Sequence, residues 1–189
     1  MNGLPDRLTR RTLLLGGLSV GALTLVRGSR AALGSPPTAG TVLIEQFAPN
    51  GTSRGTLSVP RVVKSEAEWR AQLSALAFSV TRQEDTERAF SGAYDQNHAD
   101  GLYACICCGT VLFDSRTKFD SGTGWPSFWA PISRHNVLDQ DDRSLGMVRT
   151  AVSCARCVAH LGHVFNDGPR PTGLRYCMNS VALNFTARA

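Results

Sequence analysis

The chain has 189 residues and carries 20 Lys and Arg against 15 Asp and Glu. Five of those arginines and Asp6 precede Ser35, so the remainder carries 15 basic and 14 acidic residues. The basic balance therefore belongs to the leader, and nothing in the rest suggests the electrostatic footprint of a nucleic-acid binder.

Residues 1–34 read as an export signal. Arg10 and Arg11 stand directly before an uncharged apolar run, Leu13 to Val26, which is shorter than the roughly 20 residues of a membrane span. Small residues follow, and cleavage is expected between Ala31 and Gly34. The pattern resembles a twin-arginine leader, so the mature chain is expected outside the cytoplasm, with no stable membrane span after cleavage. Residues 35–60 read as a linker and N-terminal extension, in which VLIEQF forms a short strand and APNGTSRG a loop. The remaining residues, 61–187, are enough for one domain with its own core.

A helix is expected from Ser65. Ser65 and Glu68 fit a capping box, and Trp69, Leu73, Leu76, Ala77 and Val80 follow at helical spacing, which predicts one buried face. Arg82 to Arg88 reads as a charged, solvated helix or turn. After Gly101 the pattern changes to short strands: Leu102–Ile106, Val111–Phe113, Met147–Val152, Leu174–Cys177 and Val181–Phe185. Helices in front and strands behind predict a mainly β, antiparallel domain with N-terminal helices.

The six cysteines fall in two groups of different character. Cys105 with Cys108, and Cys154 with Cys157, have the two-residue spacing of metal knuckles, and four such thiolates can hold a zinc ion tetrahedrally. Two structural disulfides or a redox-active Cys-x-x-Cys are the competing readings, the first favoured by export. Cys107 is a spare thiol inside the first pair. Cys177 stands outside any pair, in a stretch that also holds His160, His163, Asp167, Arg175 and Asn179. Gly168, Pro169, Pro171 and Gly173 should turn the chain and bring the two ends of this stretch together. A thiol beside histidines has the parts for nucleophilic and acid–base chemistry; a small buried cysteine in a strand is the alternative.

LYACICCGTVLFDSRTKFDSGTGWPSFWAPI, MVRTAVSCARCVAHLGHVFNDGP and PTGLRYCMNSVALNF, in that order, resemble the B-type peptide methionine sulfoxide reductases over about residues 61–186. The resemblance implies two antiparallel sheets with N-terminal helices, and a structural zinc on Cys105, Cys108, Cys154 and Cys157 away from the active site. It implies Cys177 as nucleophile, His163 as proton donor with His160 beside it, Asn179 in the same pocket, and Trp125 as the apolar wall for the substrate methyl group. Asp167 is expected to orient a histidine or water and Arg175 to lower the Cys177 pKa, unless the two pair with each other at the surface. The implied substrates are oxidised proteins or peptides carrying the R sulfoxide of methionine, and the partner a thioredoxin-like or other thiol reductant. Many relatives place a resolving cysteine in the SGxGW loop, where this chain has Thr123. A non-catalytic zinc-bound β module and a thiol–disulfide oxidoreductase using a Cys-x-x-Cys pair are the rival functions.

Overall fold

The computed structural model describes residues 40–142 and 149–188. The expected export signal with its cleavage region, residues 35–39 of the expected linker, and Met147 lie outside them. Among the described residues no helix is long and apolar enough to cross a membrane.

Strands β1 (Thr41–Phe47) and β2 (Ser53–Pro60) form an antiparallel hairpin. The stretch read as a loop therefore becomes strand from Ser53. The hairpin is fastened by the buried side chain of Asn136, whose Oδ1 accepts from Glu45 N at 2.8 Å and whose Nδ2 donates to the carbonyls of Glu45 and Val111. A fully buried amide needs this complete set of partners, because each one lost would leave an unsolvated polar group.

Helices α1 (Glu66–Gln72) and α2 (Ala75–Gln83) replace the single expected helix. The Ser65–Glu68 capping box is present at the start. Ser74 then accepts from Ala77 N at 3.1 Å and caps a second helix, which resets the helical phase. Leu76 consequently turns outward, 47 % exposed, while Phe78 joins Trp69 and Val80 in the core. The Arg82–Arg88 stretch departs from its solvated reading at two positions. Arg82 donates to the Cys157 carbonyl at 3.0 Å and lies over the Trp69 ring, and Glu87 is buried.

The rest of the chain supplies β3 (Gly101–Cys105), β4 (Val111–Asp114), β5 (Lys118–Phe119), β6 (Ser127–Phe128), β7 (Val137–Asp142), β8 (Arg149–Cys154), β9 (His160–Phe165), β10 (Arg175–Met178) and β11 (Leu183–Ala187). They build a six-stranded sheet in the order β5-β6-β10-β9-β8-β7 and a three-stranded sheet in the order β11-β3-β4. All pairings are antiparallel. The mainly β architecture with N-terminal helices is the one expected, with the hairpin as a third, small sheet. Val181 sits in a 3₁₀ turn, Ser180–Ala182, so the final strand starts two residues later than its alternation suggested.

The two larger sheets meet through aromatic side chains. Phe113 stacks on Phe128 at 4.4 Å, Tyr103 meets Phe128 edge-on at 5.1 Å, and Phe113 lies 5.9 Å from Tyr176. Such pairs stabilise by about 0.5–1.5 kcal/mol each beyond the area they bury. They fix β6, which directly follows the loop that carries Trp125, and β10, which pairs with β6.

Gly162 lets β9 and β10 approach closely. A methyl group there would lie 2.1 Å from the Cys177 carbonyl oxygen. Gly162→Ala is therefore expected to destabilise by about 2 kcal/mol or more, read as a drop of several degrees in Tm by calorimetry. An unchanged Tm would mean that the two strands can separate without cost.

Candidate functional site

Two constellations emerge, and different parts of the chain build them. In the first, Cys105–Cys108 and Cys154–Cys157 form matching tight turns at the ends of β3 and β8. Gly109 N donates to the Cys105 carbonyl at 2.8 Å, and Val158 N donates to the Cys154 carbonyl at 2.9 Å. Gly109 and Val158 occupy equivalent places with φ of 73° and 54°; the first suits glycine, and the second imposes a left-handed conformation on a β-branched residue.

The four thiols converge within 4.8 Å of one another. Cys105 Sγ lies 3.6 Å from Cys157 Sγ, and Cys108 Sγ 3.5 Å from Cys154 Sγ. Four sulfurs at about 2.3 Å from a central ion stand roughly 3.8 Å apart, so this donor set fits a tetrahedral metal ion. The nearest contacts run between the two motifs, at distances well beyond the ~2.05 Å of a disulfide, and all six cysteines are free thiols. Hydrogen bonding with Cys105, then with Cys154, pulls the Cys108 thiol far below its ordinary range. Cys105, in the same cluster, is pushed well above its own ordinary range by hydrogen bonding with Cys107, then Cys108. These thiols therefore share protons, and four thiolates held this close would need a cation to balance them. Cys107 takes no part in the set of four. Its side chain is buried and its carbonyl accepts from Gln72 Nε2 of α1 at 2.8 Å.

The second constellation is a pocket of about 190 Å³ whose walls include Trp125, Arg149, His163, Cys177 and Asn179. Register places the reactive groups. Cys177 on β10 is directly opposite His163 on β9 and Ser127 on β6, and directly opposed residues project from the same face of a sheet. The β9–β10 connection is closed by Gly168 N donating to Gly173 O at 3.0 Å and Gly173 N donating to Pro169 O at 2.9 Å. The glycine- and proline-rich turn thus brings the two ends of the stretch together.

Cys177 is half-buried, and burial pushes its thiol above the ordinary value. Thr123, Arg175 and Ser127 oppose that shift without reversing it. The expectation of a thiol lowered by nearby cations is therefore corrected: in the resting pocket, loss of hydration outweighs them. Arg175 is bidentate to Asp167, through Nε at 2.9 Å and Nη2 at 2.8 Å. The carboxylate that bonds a histidine is Asp142 instead, whose Oδ2 lies 2.9 Å from His163 Nε2 and accepts from Arg149 Nη2 at 2.8 Å. An ionised carboxylate only accepts, so this bond keeps a proton on Nε2 and leaves Nδ1 as the nitrogen that can exchange one.

His160 is placed behind His163, with ring centroids 5.3 Å apart. It is buried, and its Nε2 has no hydrogen-bond partner among the described residues. Burial, then the neighbouring His163, push its pKa down to about 4, so it is neutral at physiological pH. Asn179 lines the pocket with its amide already engaged: Oδ1 accepts from Glu87 N at 2.9 Å and Nδ2 donates to the Leu161 carbonyl at 3.1 Å. Trp125 is aimed by its indole Nε1, which donates to the Glu87 carbonyl at 3.1 Å. The Glu87 carboxylate accepts from Ser180 N at 2.6 Å and Val181 N at 2.9 Å. One buried residue thus holds the indole wall, Asn179 and the turn after β10.

Sequence reasoning missed Asp142, Arg149 and Glu87. Asp142 is one acid among several in DQDD, and Glu87 sits in a run of charges; only contacts with residues distant in sequence distinguish either from a solvated neighbour.

A thiol faces a carboxylate-bonded histidine in a tryptophan-walled pocket, while four other thiols form a separate structural cluster. These features define a mainly β domain with a four-thiol cluster able to hold a metal ion and a separate thiol–histidine pocket. Residues 73–187 match the SelR domain model. The chain is 57 % identical over 128 residues to a peptide methionine sulfoxide reductase MsrB of Pseudomonas fluorescens, covering 68 % of this chain and 98 % of that protein. Proteins with the same description from Herminiimonas arsenicoxydans (55 % over 127 residues, 67 % and 93 % covered) and Synechococcus (56 % over 124 residues, 66 % and 91 % covered) are similarly close. The chain belongs to the B-type peptide methionine sulfoxide reductase family.

The thiol cluster generates one expectation directly. Gently purified protein should carry one tetrahedral thiolate-bound metal ion per chain, and Cys108→Ser or Cys154→Ser should lose both the metal and most of the stability, since a structural zinc can contribute ~10 kcal/mol or more to folding. Metal analysis and thermal melting check this; a metal-free protein of unchanged Tm would refute it.

Proposed function

We propose that this enzyme reduces the R epimer of methionine sulfoxide in proteins or peptides, with Cys177 attacking the sulfoxide sulfur. The observation that carries this reading is the register pairing of Cys177 with His163 beside Trp125 in one pocket. The methionine sulfoxide reductase names of its relatives support the substrate class.

A soft sulfur nucleophile suits a sulfoxide sulfur, and the oxygen needs a proton to leave that centre. The resting Cys177 enters as a thiol, so it brings the proton that the products require: one thiol and one sulfoxide become one sulfenic acid and one thioether. The thiol sulfur bonds to the oxidised centre while His163 passes a proton through Nδ1 to the oxygen. Transfer of the protonated oxygen to Cys177 breaks its bond to the methionine sulfur and the transient sulfur–sulfur bond, which leaves Cys177 as the sulfenic acid and releases methionine reduced. Asp142 holds the imidazole in the required tautomer and supports it when it is charged. Trp125 offers an aromatic face to the substrate methyl group.

The sulfenic acid is then removed by thiols. One external thiol condenses with it, expelling water and leaving a mixed disulfide; a second thiol frees Cys177 and departs as the oxidised reductant. A thioredoxin-like protein or another small dithiol would serve. Thr123 stands where many relatives have a resolving cysteine, and Cys107 is enclosed at the metal knuckle under α1 and α2, so the external thiol acts on Cys177 directly. Zinc is the ion proposed for the four-thiol cluster; bound there, it would cross-link the two knuckles and take no part in turnover. Export by the twin-arginine leader is proposed on residues 1–34 alone.

Peptides carrying a single defined sulfoxide epimer test this reading. Cys177→Ser should abolish reduction of the R epimer while leaving fold and metal intact, and His163→Gln should slow it by about 10²–10⁴-fold. A wild-type rate in either variant would place the chemistry elsewhere, and equal reduction of both epimers would remove the stereochemical claim. Asp142→Asn should lower kcat by roughly tenfold or more with little change in KM; an unaltered kcat would mean that the Asp142–His163 bond is incidental to turnover.

A further inference from the structure

Behind Cys177, opposite His163, the structure holds a chain of hydroxyl groups that the proposed chemistry has not used. Thr123 Oγ1 lies 3.8 Å from Cys177 Sγ. Ser121 Oγ is 2.8 Å from Thr123 Oγ1 and 2.7 Å from Ser127 Oγ. Ser127, fully buried and directly across from Cys177 in the sheet, donates to the Trp125 carbonyl at 3.2 Å. The loop that presents them bends at Gly122 and Gly124, with φ of 67° and 86°; at Gly124 a methyl group would lie 2.7 Å from the Phe90 backbone nitrogen.

We propose that Ser121, Thr123 and Ser127 form a reversible hydroxyl chain that stabilises the Cys177 thiolate and its sulfenic acid, so that the oxidised enzyme persists until an external thiol arrives. The proposal rests on Cys177 as the nucleophile, and the proton inventory carries it. With Cys177 as a thiol, four protons serve four links, all pointing from sulfur through Thr123, Ser121 and Ser127 to the Trp125 carbonyl. When the thiol proton leaves, three protons remain. Thr123 can then turn to donate to the sulfur, or to an oxygen bound to it, and still accept from Ser121. One link opens, and Ser127 keeps its bond to the Trp125 carbonyl. A cysteine in place of Thr123 would be a weaker donor and would attack the sulfenic acid instead of shielding it.

The charged and titratable groups around Cys177 are Arg175 on its own strand, paired with Asp167, and His163 across on β9, bonded to Asp142, which also meets Arg149 on β8. All of these stay in place when a hydroxyl is removed, so a change in thiol behaviour reports on the hydroxyl chain.

The full-length, metal-loaded protein supplies two readouts. The first is the rate of Cys177 alkylation by iodoacetamide against pH, followed by peptide mass. The second is the yield of sulfenic acid captured by a dimedone-type trap, added at increasing delays after one turnover of a methionine sulfoxide peptide without reductant. Thr123→Val should slow alkylation near neutral pH by about three- to tenfold, the worth of one hydrogen bond, move the profile to higher pH, and shorten the life of the trapped species. Thr123→Ser should restore wild-type behaviour. Ser121→Ala, linked to Cys177 through Thr123, should move both readouts the same way by less, and it serves as the test if Thr123→Val does not fold. Wild-type profiles and lifetimes in Thr123→Val and Ser121→Ala, or in Ser121→Ala alone where Thr123→Val is unfolded, would overturn the proposal. Full sulfoxide reduction by Cys177→Ser would instead overturn the catalytic reading, without touching the alkylation result.

Discussion

Four thiols within 4.8 Å of one another are the constraint on which the rest of this domain depends. Crowded sulfur at that separation needs shared protons or a cation, and a tetrahedral ion satisfies all four donors at once. The two knuckles lie at the end of β3 and the end of β8, one from each of the larger sheets. Joining them fixes the sheets to each other at one corner, while the Phe113, Phe128 and Tyr103 rings fill the space between them. β9 begins three residues after Cys157, so the same knuckle sets where His160 and His163 emerge. The four-thiol cluster and the pocket are separate in their residues and connected in geometry.

The pocket itself is aligned by backbone register and by one buried acid. Cys177 faces His163 because β9 and β10 pair in a single register, which Gly162 permits through its close approach to the Cys177 carbonyl. A slip of one residue would turn the thiol to the opposite face. Glu87 then joins elements distant in sequence. Its carboxylate binds the turn after β10, its N–H binds Asn179, and its carbonyl holds the Trp125 indole. Buried carboxylates are costly unless several donors surround them, so a residue with these partners has little freedom to move.

Local patterns with strong chemistry could be read from the chain. The Cys-x-x-Cys spacing and the Ser65–Glu68 cap follow from short-range geometry, and the structure places both where that geometry requires. The alternation near the C-terminus marked a strand, but one that begins only at Leu183. Cys177, His163, Trp125 and Asn179 come together in one pocket, with His160 behind His163. Relations across strands were not legible. The second helix cap at Ser74 competes with the apolar spacing that included Leu76, and the cap prevails because it satisfies a backbone donor that the longer helix would have bonded elsewhere. Asp142 meets His163 over a separation of 21 residues, and Glu87 meets Ser180 over 93; neither partner leaves a periodic signal. Asp167, next to the histidines in sequence, was the natural choice for orienting one of them, yet its partner is Arg175, whose planar fork matches a carboxylate two bonds at a time.

The raised Cys177 thiol is informative about how such a pocket divides its work. A permanently ionised cysteine reacts readily with many oxidants, which is a liability where thiols are easily oxidised. Here burial keeps the proton on sulfur, while Thr123, Ser127 and Arg175 stand ready to receive the anion. Deprotonation is thus costly in the empty pocket and becomes easier once a proton acceptor lies beside the thiol. On the proposed chemistry that acceptor is the sulfoxide oxygen, reached through His163, so the proton that suppresses idle reactivity is also the one the reaction consumes. Neutral His160 fits the same scheme. A second imidazolium behind His163 would repel the charge that His163 must carry during transfer, and burial removes that competitor by holding its pKa at about 4.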